Sequence, residues 1–313
     1  LRAQLLAKVR EFFKSRGFLE VETPILSADV VVDRHLDPFA TTLACDPRQP
    51  ESGQRLWLQT SPEFHMKRLL AAGSGPIFQI ARVFRNGERG QRHNPEFTMV
   101  EWYQTEADYA VGMALLAEFC THLLARGPAV TLTYELAFQR FVQIDPHRAS
   151  SLELHQAAIR AGLTPPDSLS QNDRDGWLDY LLVELIEPHL GFDRPAILCD
   201  YPASQAALAR TRPLAAGVQV AERFELYVEG IELANGYHEL LDAAVLRERN
   251  EHNNALRQAD GKPPLPVESR LLAAMQSGLP PSVGVALGFD RLVMLAAGKR
   301  SLGEVMAFPI DRA

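Results

Sequence analysis

Cysteine is scarce: the 313 residues hold only Cys45, Cys120 and Cys199, far apart and in no Cys-x-x-Cys arrangement. An odd, scattered set of thiols speaks against a disulfide framework or a zinc ribbon and suits a reducing cytoplasm. No apolar run approaches the ~20 residues that span a bilayer, so no membrane association is expected. The start is not signal-like, and Leu1 in place of methionine points to a short N-terminal piece outside this sequence. Positive charge is not in excess either, with 32 Lys and Arg against 39 Asp and Glu, a net of −7. A general nucleic-acid binder needs a basic footprint to displace counterions, which leaves at most a local basic patch. Neither GxGxxG nor GxxxxGK[ST] occurs, so any nucleotide must be held without those phosphate loops. Internal repeats and low-complexity tracts are absent.

What is present is the composition of an ordinary globular protein, 46% hydrophobic and 23% charged. Leu1, Leu5, Leu6, Val9, Phe12 and Phe13 form one helical stripe, ended at Gly17. A short strand over 18–22 stops before Pro24. Ser61-Pro62 starts a helix that runs to about Gly73. Strands over 77–84 and 97–104 flank a polar loop, Arg85 to Pro95. From about Tyr109 to Pro188 the pattern is helical, broken at Gly127-Pro128 and Pro165-Pro166, and reads as an inserted segment of about 109–190. Strands return over 196–201 and from Glu222 to about Leu233, then a polar helix over 242–258 and a loop, Gly261-Lys262-Pro263-Pro264. An apolar strand over 283–287 runs into a final helix from Gly288 to about Ala297. Strands joined by hairpin-like loops, with helices grouped around them, predict an α+β fold: an antiparallel sheet flanked by helices, in one domain over 1–313.

Three segments carry chemistry. The first, Phe84-Arg85-Asn86-Gly87-Glu88-Arg89-Gly90-Gln91-Arg92-His93-Asn94-Pro95-Glu96-Phe97, packs three arginines and a histidine into one loop. Guanidinium forks match phosphate oxygens, and Phe97 can stack on a base; a solvated hairpin tip is the plain alternative. The second, Glu222 to Glu239, turns near Glu229-Gly230 and places Glu225 and Glu232 roughly opposite each other. Like charges across a strand pair are destabilising unless something such as Mg²⁺ with substrate phosphates compensates them. An acidic exposed hairpin is the alternative there. Glu239, further along, can meet a cationic group. The third, Gly284-Val285-Ala286-Leu287-Gly288-Phe289-Asp290-Arg291, is a buried strand ending in glycine before a helix that carries Arg291.

In this order and spacing the segments resemble the three signature motifs of class II aminoacyl-tRNA synthetases, most closely the lysyl branch. Gly17-Phe18-Leu19-Glu20-Val21-Glu22-Thr23-Pro24 resembles motif 1, the dimer-forming helix and strand. Phe84-Arg85 through Arg92-His93-Asn94-Pro95-Glu96-Phe97-Thr98 resembles motif 2, and Gly284 to Arg291 motif 3. Ser61-Pro62-Glu63 and Glu101-Trp102-Tyr103 also match the lysyl pattern. The motif 1 helix begins at residue 1, where the lysyl enzymes carry an anticodon-reading domain first. The chain therefore resembles the paralogues that lack that domain and modify translation elongation factor P. Ala286, where α-lysine enzymes have glycine, and the stretches 203–206 and 221–225 point the same way. One departure is Gly87: the family has Arg-Asn-Glu at this turn, and here the glutamate is displaced to Glu88.

The resemblance implies a homodimeric, cytoplasmic ATP-dependent ligase that activates (R)-β-lysine as its adenylate and joins it to a lysine side chain of elongation factor P. It implies that Arg85 spans the substrate carboxylate and α-phosphate and that Arg291 holds the γ-phosphate. Phe97 would stack the adenine, with Asn86, Gly87, Asn94, Glu232, Leu233 and Gly288 lining the ATP site, and Glu225 and Glu232 would carry Mg²⁺. Ser61, Pro62, Glu63, Glu101, Tyr103, Glu239 and Ala286 would shape the amino-acid site, with Glu63 at the backbone-side amine and Glu101, Tyr103 and Glu239 around the distal ammonium. Arg89, Arg92 and the 261–266 loop are the candidates for docking the protein acceptor. An α-lysine enzyme acting on RNA fits the −7 charge and the missing domain poorly. A non-catalytic regulator would not need Arg85, Arg291, Glu225 and Glu232, all of which are present.

Overall fold

A computed structural model describes residues 1–214 and 217–313. The chain opens with α1 (Arg2–Lys14), β1 (Leu19–Glu20), β2 (Leu26–Ser27), β3 (Ala40–Ala44), β4 (Gly53–Leu58), α2 (Glu63–Ala71), β5 (Ile77–Phe84) and β6 (Glu96–Thr105). It continues through α3 (Tyr109–Leu124), β7 (Val130–Thr133), α4 (Tyr134–Phe141), α5 (Ser151–Arg160), α6 (Arg174–Leu181), β8 (Ala196–Pro202), β9 (Thr211–Pro213), β10 (Gln219–Val228) and β11 (Ile231–His238). It closes with α7 (Ala243–Ala259), α8 (Arg270–Ser277), β12 (Ser282–Gly288) and α9 (Phe289–Ala296). These elements gather into two compact units, Leu1–Ala107 with Leu240–Ala313, and Asp108–Glu239. Among the described residues no helix is long and apolar enough to cross a membrane.

In the first unit the strands run β1-β5-β6-β12, with β1 parallel to β5 and the other neighbours antiparallel. The side-chain period of two divides this sheet into two faces. On one face Phe78 and Trp102 meet Phe13 of α1, with ring centroids 4.7 and 5.2 Å from it. Leu5, Val9, Phe12 and Phe13 recur at helical spacing and are buried, whereas Leu1 lies before the helix and is exposed. Truncating a ring such as Phe13 in this setting costs about 3–5 kcal/mol. The opposite face carries Ala81, Val83 and Met99 in one apolar cluster with Phe97 and Ala286. Its register sets Gln79 opposite Glu101, and Glu101 opposite Ala286. The sequence-predicted residues Phe97, Glu101, Tyr103 and Ala286 stand on this face.

A separate three-stranded sheet, β2-β4-β3, was not foreseen, because its strands are short and largely exposed. The strand expected over 18–22 pairs only at Leu19 and Glu20, parallel to β5. A buried arginine, Arg257 on α7, fastens two loops together. Its Nε donates to the Pro263 carbonyl at 3.1 Å, and its terminal nitrogens reach the Asp33 carbonyl and the Asp37 carboxylate, each at 2.9 Å.

In the second unit the strands run β11-β10-β8-β7, with β9 paired to one end of β10. Glu229 and Gly230 join β10 to β11 with φ of 52° and 68°, a two-residue hairpin turn in which both positions are left-handed, hence glycine at the second. The region expected to be helical, with breaks at Gly127-Pro128 and Pro165-Pro166, contains β7 just after the first break, and its Val130-Thr131-Leu132-Thr133 pairs parallel with β8. Four residues are too few to display a period, and their partner lies far along the chain. Tyr134, Phe138, Leu154, Trp177 and Leu181 from the helices share one core with Leu198, Tyr201 and Tyr227 from the strands. That shared core joins the helices and strands of the unit Asp108–Glu239.

Replacing Arg257 with Met strips a guanidinium from buried carbonyls and from Asp37. The expected loss is about 3 kcal/mol in urea unfolding, and a loss below about 1 kcal/mol would contradict the fastening role.

Candidate active site

The first-unit site begins at the entrance to α2. Pro62 fixes the turn with φ −74°, and the Ser61 hydroxyl accepts the Glu63 N–H at 3.0 Å. That hydroxyl also donates to Glu101 Oε2 at 2.8 Å, tying the helix start to β6. Tyr103, two residues along the same strand, donates to Glu101 Oε1 at 2.7 Å. Glu63 and Glu101 are buried, with 8% and 1% of their surface exposed. Lys67, one turn on from Glu63, is itself only 1% exposed and donates to Glu63 Oε1 at 2.5 Å. Gln79, opposite Glu101, accepts from the Thr23 hydroxyl at 3.0 Å.

Burial, and then the negative charge of Glu63, push the Glu101 carboxyl up to about 7 against the opposing pull of Tyr103, Ser61 and Lys67. Desolvation disfavours the charged form, and a like charge adds to it. A cation entering beside Glu101 reverses both effects. Its neighbour on β12 is Ala286, another of the sequence-predicted residues.

The loop between β5 and β6 supplies a second, cationic group. Arg85 lies over the Phe97 ring at 5.2 Å, reaches the Thr60 carbonyl at 3.4 Å and pairs with Glu88 at 3.6 Å. Gly87 has φ +84°, which accounts for glycine at this turn, and the displaced Glu88 faces Arg85. The Asn86 N–H donates to the Asp37 carbonyl at 2.7 Å. Asn94 is buried, donating to the Glu96 carbonyl and accepting the Ile310 N–H at 2.9 Å. Gly288 caps α9 in extended conformation. Arg291, on the first turn, approaches His93 Nε2 at 2.7 Å and the Arg92 carbonyl at 3.3 Å. Burial and the neighbouring Arg291 lower the His93 pKa, favouring the neutral ring that can accept from a guanidinium.

The proposed docking residues are already engaged: Arg89 pairs with Asp311, and Lys262 with Asp37 and the Arg34 carbonyl.

In the second unit the register corrects one expectation. Glu225 stands opposite Asn235, and Glu232 opposite Tyr227, with a bulge between Leu226 and Tyr227. The two glutamates are thus offset rather than facing. The Glu225 carboxylate is buried and accepts from Arg223, Tyr201 and Tyr227, each at 2.5 Å. Its oxygens suit a hard cation in kind, but ligation would displace one of those donors. Glu232 is half-buried and Leu233 buried. Among the described residues no group of three or more His, Cys, Asp or Glu gathers as a ready-made metal site. Mg²⁺ bound largely through substrate phosphates needs no such group. Glu239 is buried, and its carbonyl accepts from Arg210 Nε at 2.9 Å.

Lys67 escaped the sequence reading, although its i,i+4 spacing from Glu63 on a helix was a usable signal. Gln79 and Asn235 carried no such signal; only strand register identifies them as neighbours of Glu101 and Glu225.

A mainly antiparallel sheet bearing an arginine-rich loop, a strand-to-helix arginine and a buried acidic pocket is the arrangement of a class II synthetase core. The chain belongs to the tRNA synthetases of class II (D, K and N), matching that family over residues 1–312. More particularly, it is 48% identical over 312 residues to the elongation factor P–(R)-β-lysine ligase of Klebsiella pneumoniae subsp. pneumoniae, covering 100% of this chain and 94% of that protein. The ligase of the same name from Salmonella paratyphi B matches with the same identity and coverage.

Glu101 holds its proton more tightly in the folded chain than in the unfolded one, where the ordinary value is 4.5. Its contribution to stability therefore falls as pH rises from about 4.5 to about 7. Glu101→Gln abolishes that titration, so the variant should gain melting temperature relative to the parent between pH 5 and pH 8. A constant difference across that range would contradict the assignment.

Proposed function

We propose that this chain activates (R)-β-lysine with ATP and transfers it to a lysine side chain of translation elongation factor P. The observation that carries the reading is full-length 48% identity to ligases of that name. The buried acidic pocket of Ser61, Glu63, Glu101 and Tyr103 beside Ala286 supports it. In the first half-reaction the amino-acid carboxylate attacks the α-phosphorus of ATP, forming the acyl–adenylate and releasing pyrophosphate. Arg85 neutralises charge between the carboxylate and the α-phosphate, and Arg291 exchanges His93 for the terminal phosphate. Such transfers depend on positioning and charge neutralisation rather than on covalent help from the protein. Phe97 offers its ring to the adenine, with Asn86, Gly87, Asn94, Leu233 and Gly288 as further nucleotide contacts. Mg²⁺, held by Glu232 and by Glu225 once a tyrosine hydroxyl gives way, would offset phosphate charge.

In the second half-reaction the acceptor amine attacks the adenylate carbonyl, an amide forms and AMP leaves with the electron pair of the broken bond. Selection rests on charge. Hydrogen bonds to a desolvated ammonium contribute about 1.5–3 kcal/mol each, and a neutral analogue forfeits them. Glu63 and Glu101 supply such acceptors in the first unit, and Glu239 is the second unit's candidate. Ala286 narrows the space beside Glu101, the feature that would favour a β-amino acid. We place the enzyme in the cytoplasm with its acceptor, which agrees with two buried thiols, Cys120 and Cys199, pushed up to about 12 by burial. We also infer a homodimer through the motif 1 segment, where Leu19, Ile25 and Leu26 are exposed.

Intact mass of unmodified elongation factor P, after incubation with this chain, MgATP and (R)-β-lysine, tests the reading. A gain of one lysyl residue, at least tenfold faster than with α-lysine, is expected. Pyrophosphate exchange without mass gain would overturn the acceptor, and silence in both assays would overturn the ligase.

A further inference from the structure

Two carboxylates share the buried pocket on the site face of the first unit, and they are not equivalent. Glu63 Oε1 is clamped at 2.5 Å by Lys67, whose side chain is 1% exposed. Glu101 takes its hydrogen bonds from the hydroxyls of Ser61 and Tyr103, which are neutral. A lysine buried this fully is rare unless paired, and helix geometry alone does not demand it here. An i,i+4 pair on a solvated helix face contributes only a few tenths of a kcal/mol. This one is buried, and both of its members act electrostatically on a second buried carboxylate, Glu101, so its reach is greater.

We infer that Lys67 is a positioning residue for amino-acid selection: by holding and neutralising Glu63, it leaves Glu101 as the carboxylate whose charge a substrate ammonium completes. The inference rests on the ligase reading above. With Oε1 clamped, an incoming amine meets Glu63 through Oε2 in one orientation, so the distance between the two acceptors is set before binding. That fixed spacing lets the pocket sort diamino acids by where their amines sit. The groups facing Glu101 are Glu63 and Lys67 from α2, Ser61 at its entrance and Tyr103 from its own strand. Gln79 on β5 and Ala286 on β12 are its neutral neighbours across the sheet. Glu63 raises the proton affinity of Glu101 and Lys67 lowers it, so removing Lys67 must raise it further.

Lys67→Met keeps an unbranched side chain of similar length and deletes the charge. In ATP–pyrophosphate exchange at pH 7 its KM for (R)-β-lysine should rise at least tenfold, while its KM for ATP changes less than twofold. The pH at which the amino-acid KM levels off should move upward by about one unit. The double variant Glu63→Gln/Lys67→Met removes both members of the pair, which buried sites tolerate better than half a pair. It should bind the amino acid weakly yet return that pH midpoint toward the parental value. Carboxyl NMR of the substrate-free chain follows Glu101 directly, upward in Lys67→Met and back down in the double variant. A folded Lys67→Met with parental amino-acid KM and parental Glu101 titration would overturn the positioning role. Failure of the parent chain to exchange with any lysine isomer would instead overturn the ligase reading, and the free-chain titration would still decide the role of Lys67.

Discussion

A carboxylate sealed into an apolar sheet is the constraint from which the rest of this site follows. Glu101 sits between Gln79 and Ala286 in the strand ladder, with almost no exposure to water. The folded chain tolerates it by two hydroxyl donors and by raising its proton affinity to about 7. Both are partial remedies. A cation placed beside it would be a fuller one, and the proposed selection for an ammonium group rests on that. The aromatic packing of α1 against Trp102 and Phe78 keeps the strands in the register that this arrangement requires.

The cationic half of the first-unit site is organised in a complementary way. The partners of Arg85 include the Glu88 carboxylate at 3.6 Å and the Phe97 ring, and those of Arg291 include the His93 ring. The loop itself is braced by Asp37 through Asn86 and by Ile310 through Asn94. Asp37 is in turn held by Arg257 and Lys262, so a buried cation on α7 reaches the β5–β6 loop through two hydrogen-bonded steps.

Much of this was legible in the sequence. The strand-like runs over 77–84 and 97–104 announced two strands, observed as Ile77–Phe84 and Glu96–Thr105, and Glu101 with Tyr103 on one face followed from their spacing. The helix start near Ser61-Pro62 and the hairpin at Glu229-Gly230 were readable because short-range chemistry dictates them, although the N-cap falls on Pro62 rather than Ser61. The motifs named the family because their order is preserved along the whole chain. Three things were not legible. The β2-β4-β3 sheet and β7 are too short to show a period, and their pairing is long-range. The offset of Glu225 from Glu232 depends on a bulge, which composition does not reveal. The clamp on Glu63 needed the burial of Lys67, and a lysine on a helix otherwise reads as solvated surface.

Under the proposed function, a substrate ammonium entering beside Glu101 displaces its proton. Calorimetric titration of the chain with (R)-β-lysine at pH 6.5, repeated in buffers of different ionisation enthalpy, measures that proton directly. The account predicts net proton release on binding, seen as an apparent enthalpy that varies linearly with the buffer's own. Binding heats independent of the buffer, or a net uptake of protons, would contradict it.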